Sequence, residues 1–485
     1  MNPQNERHRP IYHYTPEPAE CSSLASADGL IYWKGRYHVF YQHNKRGTLH
    51  NAPMEWGHAE SPDMIHWKEL PTALIPTPGG SDEAGCFSGC TVDNNGVPTI
   101  LYTGVTRLNP PIDYESNGRK YTGFWANHRQ CLATGSDDLL YWEKHPDNPI
   151  LSKGHETGLE GPLVPHWHDP CVWREDDTWY MLIGSGVEGA GAAHLLYRSI
   201  DLINWLFYGT FYSISEDHHS SCPDFFRLPE HDILLEARGN RYFAGSRTNQ
   251  QFIVTTQGIT DFGIGSANAP KTFTDGIGRR IMMAGILESR EIEAQRSAGW
   301  SGVLSLPRLT TISSDGVLGM KPLPELGSLR RDSLGTEFDV VASDTFTLFE
   351  FGGDSIEIIS TVDMRGAHEF RLAVLCSPDQ EEETLIVYSQ SLRRLFVDRH
   401  RSSTDPDVNK REQGGEFRLV EEENLELHIF VDRSIIEVFA NGRAALTTRI
   451  YPTRDDAKSI GVSSRGGSVG IQSIQVWEME STSPQ

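Results

Sequence analysis

One seven-residue pattern, Ser-x-Asp-x-x-x-Trp, occurs three times and constrains this chain more than any other feature. It reads SPDMIHW at 61–67, SDDLLYW at 136–142 and SIDLINW at 199–205, with starts 75 and then 63 residues apart. The Ser and Asp side chains bond the backbone of a turn between strands, and the Trp packs between neighbouring sheets. A repeat of that length holds one four-stranded propeller blade. The three copies and the strand-rich stretch 236–312 leave room for about five blades. Short runs rich in Val, Ile, Tyr, Phe and Trp, such as LIYWKGRYHVFYQ at 30–42, alternate with Gly, Pro, Asn and Asp turns. The expectation is an all-β fold with few, short helices.

The strand pattern breaks at 318–331 (LGMKPLPELGSLRR), where two prolines and two glycines punctuate the chain. The predicted division is a five-bladed β-propeller with a central funnel over 1–318, a linker over 319–334 and a β-sandwich over 335–485. Alternating runs at 345–351, 356–362, 385–388, 425–431 and 435–439 predict the C-terminal antiparallel β-sandwich. The charged, Gly-bearing stretch 405–415 reads as an exposed hairpin loop.

Charge and cysteine content exclude several functions. The net charge of -23 disfavours nucleic acid and anionic membrane surfaces, which need a concentrated basic patch. The polar stretch 1–10 has no apolar core for a secretory signal, and no segment reaches the ~20 apolar residues of a spanning helix. Seven cysteines, Cys21, Cys86, Cys90, Cys131, Cys171, Cys222 and Cys376, form an odd set unlike a disulfide framework. The expected location is therefore cytoplasmic. Cys86 and Cys90 lack a second pair at zinc-finger spacing and read as structural thiols, so neither metal nor cofactor is expected.

Several segments form a distinctive ordered set: RPIYHYTP at 9–16, the first-blade segments 30–42 and WGHAESPDMIHW at 56–67, and GCFSGC at 85–90. GRRIMMAG at 278–285, GWSGVLSLPR at 299–308 and IFVDRSIIEVF at 429–439 continue it. Together they resemble glycoside hydrolase family 32, the invertase, inulinase and levanase family. The resemblance implies a five-bladed propeller with the active site in its funnel and a mainly structural sandwich. It also implies a carboxylate nucleophile and a carboxylic acid flanking the scissile bond.

The same resemblance places serine at both of those positions. The family's Trp-Met-Asn-Asp-Pro-Asn-Gly motif corresponds to a stretch ending in Leu24-Ala25-Ser26-Ala27-Asp28-Gly29, with Ser26 at the nucleophile. Its Glu-Cys-Pro-Asp motif corresponds to Ser221-Cys222-Pro223-Asp224, and an unperturbed hydroxyl cannot serve as a general acid near neutral pH. Asp28 lies two residues from Ser26 on the same side of an extended segment and is the candidate substitute, with Glu20 a second. The family's third carboxylate corresponds to Asp169 in His168-Asp169-Pro170. Gln42, Trp56, Phe87 and Ser88 match residues lining the sugar subsite, Trp56 as the expected pocket wall. His168, Arg247 and Trp300 are further lining candidates. Glu216, Asp217, His218 and His219 read as an exposed polar loop.

Three functions follow as expectations. The leading one is a repurposed, non-hydrolytic enzyme that orients a small organic molecule in the funnel for cyclisation, cycloaddition, isomerisation or elimination. The alternatives are a β-fructofuranosidase with substitute carboxylates and a non-catalytic sugar-binding protein. The partner in each case is a small molecule.

Overall fold

A computed structural model of the chain describes residues 6–17, 22–45, 53–107, 112–116, 119–123, 127–152, 166–187, 190–342 and 344–482. Five antiparallel blades form the first unit. Their inner strands are Ser22–Trp33, Gly85–Asn94, His168–Glu175, Asp224–Leu228 and Ala267–Thr274. Each inner strand packs beside the next, and the first packs beside the fifth, so the ring closes. Ring closure buries the sheet edges nearest the axis, which would otherwise offer unpaired backbone groups. The first blade gains an extra short strand, Trp300–Ser301, pairing in parallel with Ser22 and Ser23.

The repeated heptad closes the outer hairpin of the first three blades. It joins Glu55–Ser61 to Lys68–Leu74, Asn127–Gly135 to Trp142–Lys144, and Gly191–Ser199 to Leu206–Ile214. In the third copy the Ser199 hydroxyl donates to Asp201, whose carboxylate accepts the amides of Ile203 and Asn204. The residue after each Asp, namely Met64, Leu139 and Leu202, takes a positive φ of 70°, 61° and 66°. That costs backbone strain in any non-glycine residue, and the bracing side chains offset it. The Trp142 ring meets Phe40 of the first blade edge-on at 5.3 Å, so the repeat also joins neighbouring blades.

The stretch read as a linker contains the outermost strand of the fifth blade, Leu318–Pro322, a short 3-10 turn at Pro324–Leu329, and the start of the strand Arg330–Ala342. Beyond it two six-stranded sheets face each other across a core that includes Ile358, Phe370, Leu427, Ile429 and Val476. The second sheet ends in a hairpin of Arg394–Asp398 and Gln413–Glu416, with the charged stretch between them. The described helical structure is that 3-10 turn and one α-helix, Ile292–Ala298, capped by Gly299 at φ 77°.

Propeller and sandwich share a polar, buried seam. Arg308, 1 % exposed, donates to Asp261 at 2.7 Å, to Glu437 at 2.6 Å and to Thr447 at 2.6 Å. His13 bonds Asp432 at 2.8 Å and Glu437 at 3.1 Å, and the Tyr12 hydroxyl donates to the Val431 carbonyl. Charges buried this deeply are tolerated when paired, and here both terminal nitrogens of Arg308 are paired while its Nε is buried without a partner. The segments 9–16, 299–308 and 429–439 therefore serve the seam between the two units.

Candidate active site

The N-terminal ends of the five inner strands converge on the propeller axis. Asp28 stands there wholly buried, with Ser26 donating to its Oδ1 at 2.9 Å. Gln42 donates to the Ser88 hydroxyl at 2.9 Å, and Ser88 in turn acts on Asp28. Burial pushes the Asp28 carboxyl up to about 7; hydrogen bonds from Ser88 and Ser26 oppose that, and the nearby charge of Asp169 adds to it. The second oxygen, Oδ2, is buried without a hydrogen-bond partner. A carboxyl in this setting keeps its proton to a much higher pH than an ordinary aspartate.

Asp169 is held in the opposite state. Burial works against its charge, but His168 at 2.5 Å, the Cys222 thiol at 3.1 Å and the Cys222 amide at 3.0 Å outweigh it and hold the carboxyl well below the usual range. Both Asp169 and Cys222 adopt left-handed backbone, φ 63° and 45°, which lets the amide of one face the carboxylate of the other. Thr103 fixes Asp169 further by accepting its amide at 2.8 Å. Two neighbouring carboxyls driven to opposite protonation states are the arrangement that acid-base chemistry uses.

Ser221 sits beside this pair, partly exposed. Its amide donates to Glu236 at 3.1 Å, and the fully buried Glu236 also accepts the Ser220 hydroxyl and pairs with His194 at 3.0 Å. Glu236 escaped the sequence reading because nothing in the local strand pattern distinguishes it from an ordinary strand end. The His166, His168 and His219 rings also gather here, their ligand-capable nitrogens within 4.8 Å of one another. His166 and His219 stack at 3.7 Å, and His128 lies 5.0 Å from His168. Burial, the neighbouring His166 and His168, and Arg238 push the His219 pKa down to about 2. His219 therefore joins the site, whereas His218 stays exposed and Asp217 pairs with Arg241. The sequence held one usable signal, the His166-x-His168 spacing that puts alternate residues of an extended segment on one side.

Three lining expectations need correction. Trp56 offers no open ring face: it is 0 % exposed, packs near Phe40 and Tyr102, and donates to the Phe87 carbonyl. Arg247 belongs to the other end of the channel, paired with Glu175 at 2.9 Å and stacked over Tyr180 at 4.1 Å. Glu175 lines a cavity of about 520 Å³ built from the C-terminal halves of the inner strands, with Asp28 at its inner limit. Trp300 is buried at the seam, donating to Glu6 at 2.8 Å beneath Arg290. Each of these aromatics or cations has the right chemistry for a pocket and a packing or ion-pair role instead. Gln42, Phe87, Ser88 and His168 do stand at the converging strand ends. Glu20 lies outside the described residues.

The fold and its axial carboxyls define a class: a propeller-and-sandwich protein whose reactive groups meet where the inner strands begin. The model for the glycosyl hydrolases family 32 N-terminal domain matches residues 13–322, and that for the family's C-terminal domain matches 325–478. The chain belongs to this family. It is 32 % identical to a sucrose-6-phosphate hydrolase of Zymomonas mobilis, covering 93 % of this chain and 88 % of the relative. It is 33 % identical to a raffinose invertase of Escherichia coli, covering 92 % and 90 %. The fold matches fructan 1-exohydrolase IIa of Cichorium intybus with a TM-score of 0.85 at 22 % identity, covering 98 % of each chain.

These relatives overturn the leading functional expectation. The expectation of a non-hydrolytic cyclase or lyase rests on two motif positions, but the relatives, matched along nearly the whole chain, are named as hydrolases and invertases. The family is one of enzymes, and glycosidase chemistry is the reading that fits it. The described residues include no helix long and apolar enough to cross a membrane, and none of the six described cysteines is in a disulfide.

Proposed function

We propose that the protein is a glycosidase that hydrolyses β-fructofuranosides of the sucrose type, with or without a phosphate on the sugar. The observation that carries this is the axial carboxyl pair, Asp28 holding its proton to a much higher pH than an ordinary aspartate and Asp169 held ionised within reach of its charge. Aligned on the family motifs, Ser26 and Ser221 take the positions of the nucleophile and acid, so the carboxyl roles fall to other residues. Asp28 would give its proton to the leaving oxygen as the glycosidic bond breaks. A water molecule would attack the anomeric carbon and pass a proton to the Asp28 carboxylate, restoring the acid, while the Asp169 charge stabilises the oxocarbenium-like transition state. Ser26 and Ser88 hold Asp28 in place, and Gln42 orients Ser88.

Sucrose, sucrose-6-phosphate and raffinose incubated with purified protein should release fructose. Asp28→Asn, which keeps shape but carries no acidic proton, should lower kcat by about 10²–10⁴-fold, the usual contribution of a positioned acid. Fructose release at an unchanged rate in Asp28→Asn would remove Asp28 from the mechanism. Reversible sugar binding with no turnover by the unaltered protein would instead select a non-catalytic sugar-binding role, which the serines at both motif positions favour.

A further inference from the structure

We propose that His166, His168 and His219 bind one divalent transition-metal ion of the zinc class at the mouth of the propeller. The three imidazoles come from two adjacent blades: His166 and His168 lead into the third inner strand, and His219 leads into the fourth. Their nitrogens already lie within 4.8 Å of one another. Bonds of about 2.0–2.1 Å to a tetrahedral ion require nitrogen spacings of about 3.4 Å. The stacked His166 and His219 rings, now 10° from parallel, must turn out of their stack to aim both in-plane lone pairs at one ion.

Two independent features favour a ligand here over a mere stack of rings. The first is the carboxylate behind His168: Asp169 bonds Nδ1 at 2.5 Å, which fixes the proton there and leaves Nε2 as the coordinating atom. Metal-bound histidines characteristically have such a partner, which sets the tautomer and raises ligand basicity. The second is rigidity. The Ser185 hydroxyl donates to the His166 carbonyl at 2.8 Å, and the Ser185 carbonyl accepts the Ser220 amide at 2.8 Å. One buried residue thereby clamps the backbone beside both His166 and His219. Between these positions, Gln130 donates to the Trp167 carbonyl at 3.1 Å. Arg238 donates to His219 Nε2 at 3.4 Å, a contact that metal binding at this ring would replace.

Three histidines leave a fourth tetrahedral position for a water or a sugar hydroxyl, the pattern of open zinc sites. The proposal does not rest on the glycosidase reading, since binding is measured without substrate. Full-length protein carrying no polyhistidine tag, stripped with a chelator and dialysed, is titrated with Zn²⁺ and with Co²⁺. One ion per chain by elemental analysis is expected, with a visible ligand-field spectrum for Co²⁺. His166→Ala and His219→Ala, both just outside strands and verified as folded by circular dichroism, should each abolish it. Asp169→Asn should weaken affinity by about 10–100-fold, the usual effect of removing a partner behind a metal ligand. The exposed His218→Ala should leave it unchanged. Substoichiometric uptake by the unaltered protein would overturn the proposal. So would an ion retained in both histidine variants, which would then sit elsewhere, for example on cysteines.

Discussion

Replacing Asp28 by asparagine should change the pH dependence of stability in a calculable way. In the unfolded chain the carboxyl releases its proton near the ordinary value of 3.8, whereas in the folded chain it does so at about 7. Between those values the folded state binds more protons than the unfolded state, so stability falls as pH rises. The slope approaches about 1.36 kcal/mol per pH unit for one group and halves at the folded value, so this residue costs about 2.3 kcal/mol between pH 5 and pH 7 and about 0.4 kcal/mol more above that. Asparagine keeps an acceptor for Ser26 but cannot ionise. The stability of Asp28→Asn relative to the unaltered chain should therefore rise by about 2.3 kcal/mol over that range and then level off. Guanidinium unfolding at pH 5, 6, 7 and 8 measures this directly. A difference between the two proteins that stays flat from pH 5 to pH 8 would refute the assignment of a raised carboxyl. Rising stability with falling turnover would place Asp28 among residues kept for function at a structural cost.

Two further substitutions separate structural from functional roles. Arg308→Ala should destabilise the protein by about 3–5 kcal/mol, because Asp261 and Glu437 would remain buried without their cation. Its effect is read as a lower unfolding midpoint, and an unchanged midpoint would contradict the seam described above. Trp56→Ala should cost about 3–5 kcal/mol through lost packing. In the folded fraction KM for sucrose should remain unchanged, whereas a large rise in KM would restore Trp56 to the sugar-binding wall.

The sequence alone determined the architecture of this protein. Ser-x-Asp-x-x-x-Trp turns and period-two strands are local devices, fixed by side chains that bond their own backbone or alternate across a sheet, so blades and sandwich strands were legible without coordinates. The motif resemblance likewise grouped Ser26, Asp28, Asp169 and Ser221 as candidates for one site. Motif matching could not separate a wall residue from a packing residue, because Trp56 and Trp300 have the same chemistry in either role. Arg247 fell to the wrong end of the channel for the same reason.

Only the tertiary structure decided the electrostatics. The protonation of Asp28 depends on how completely five strands bury it, and that of Asp169 on Cys222 and His168 arriving with the correct backbone geometry. His219 joins His166 and His168 because Ser185 ties two blades together over a separation in sequence that no local pattern encodes. Burial and hydrogen bonding between distant segments shift a pKa or assemble a ligand set, and both arise only once the propeller has closed.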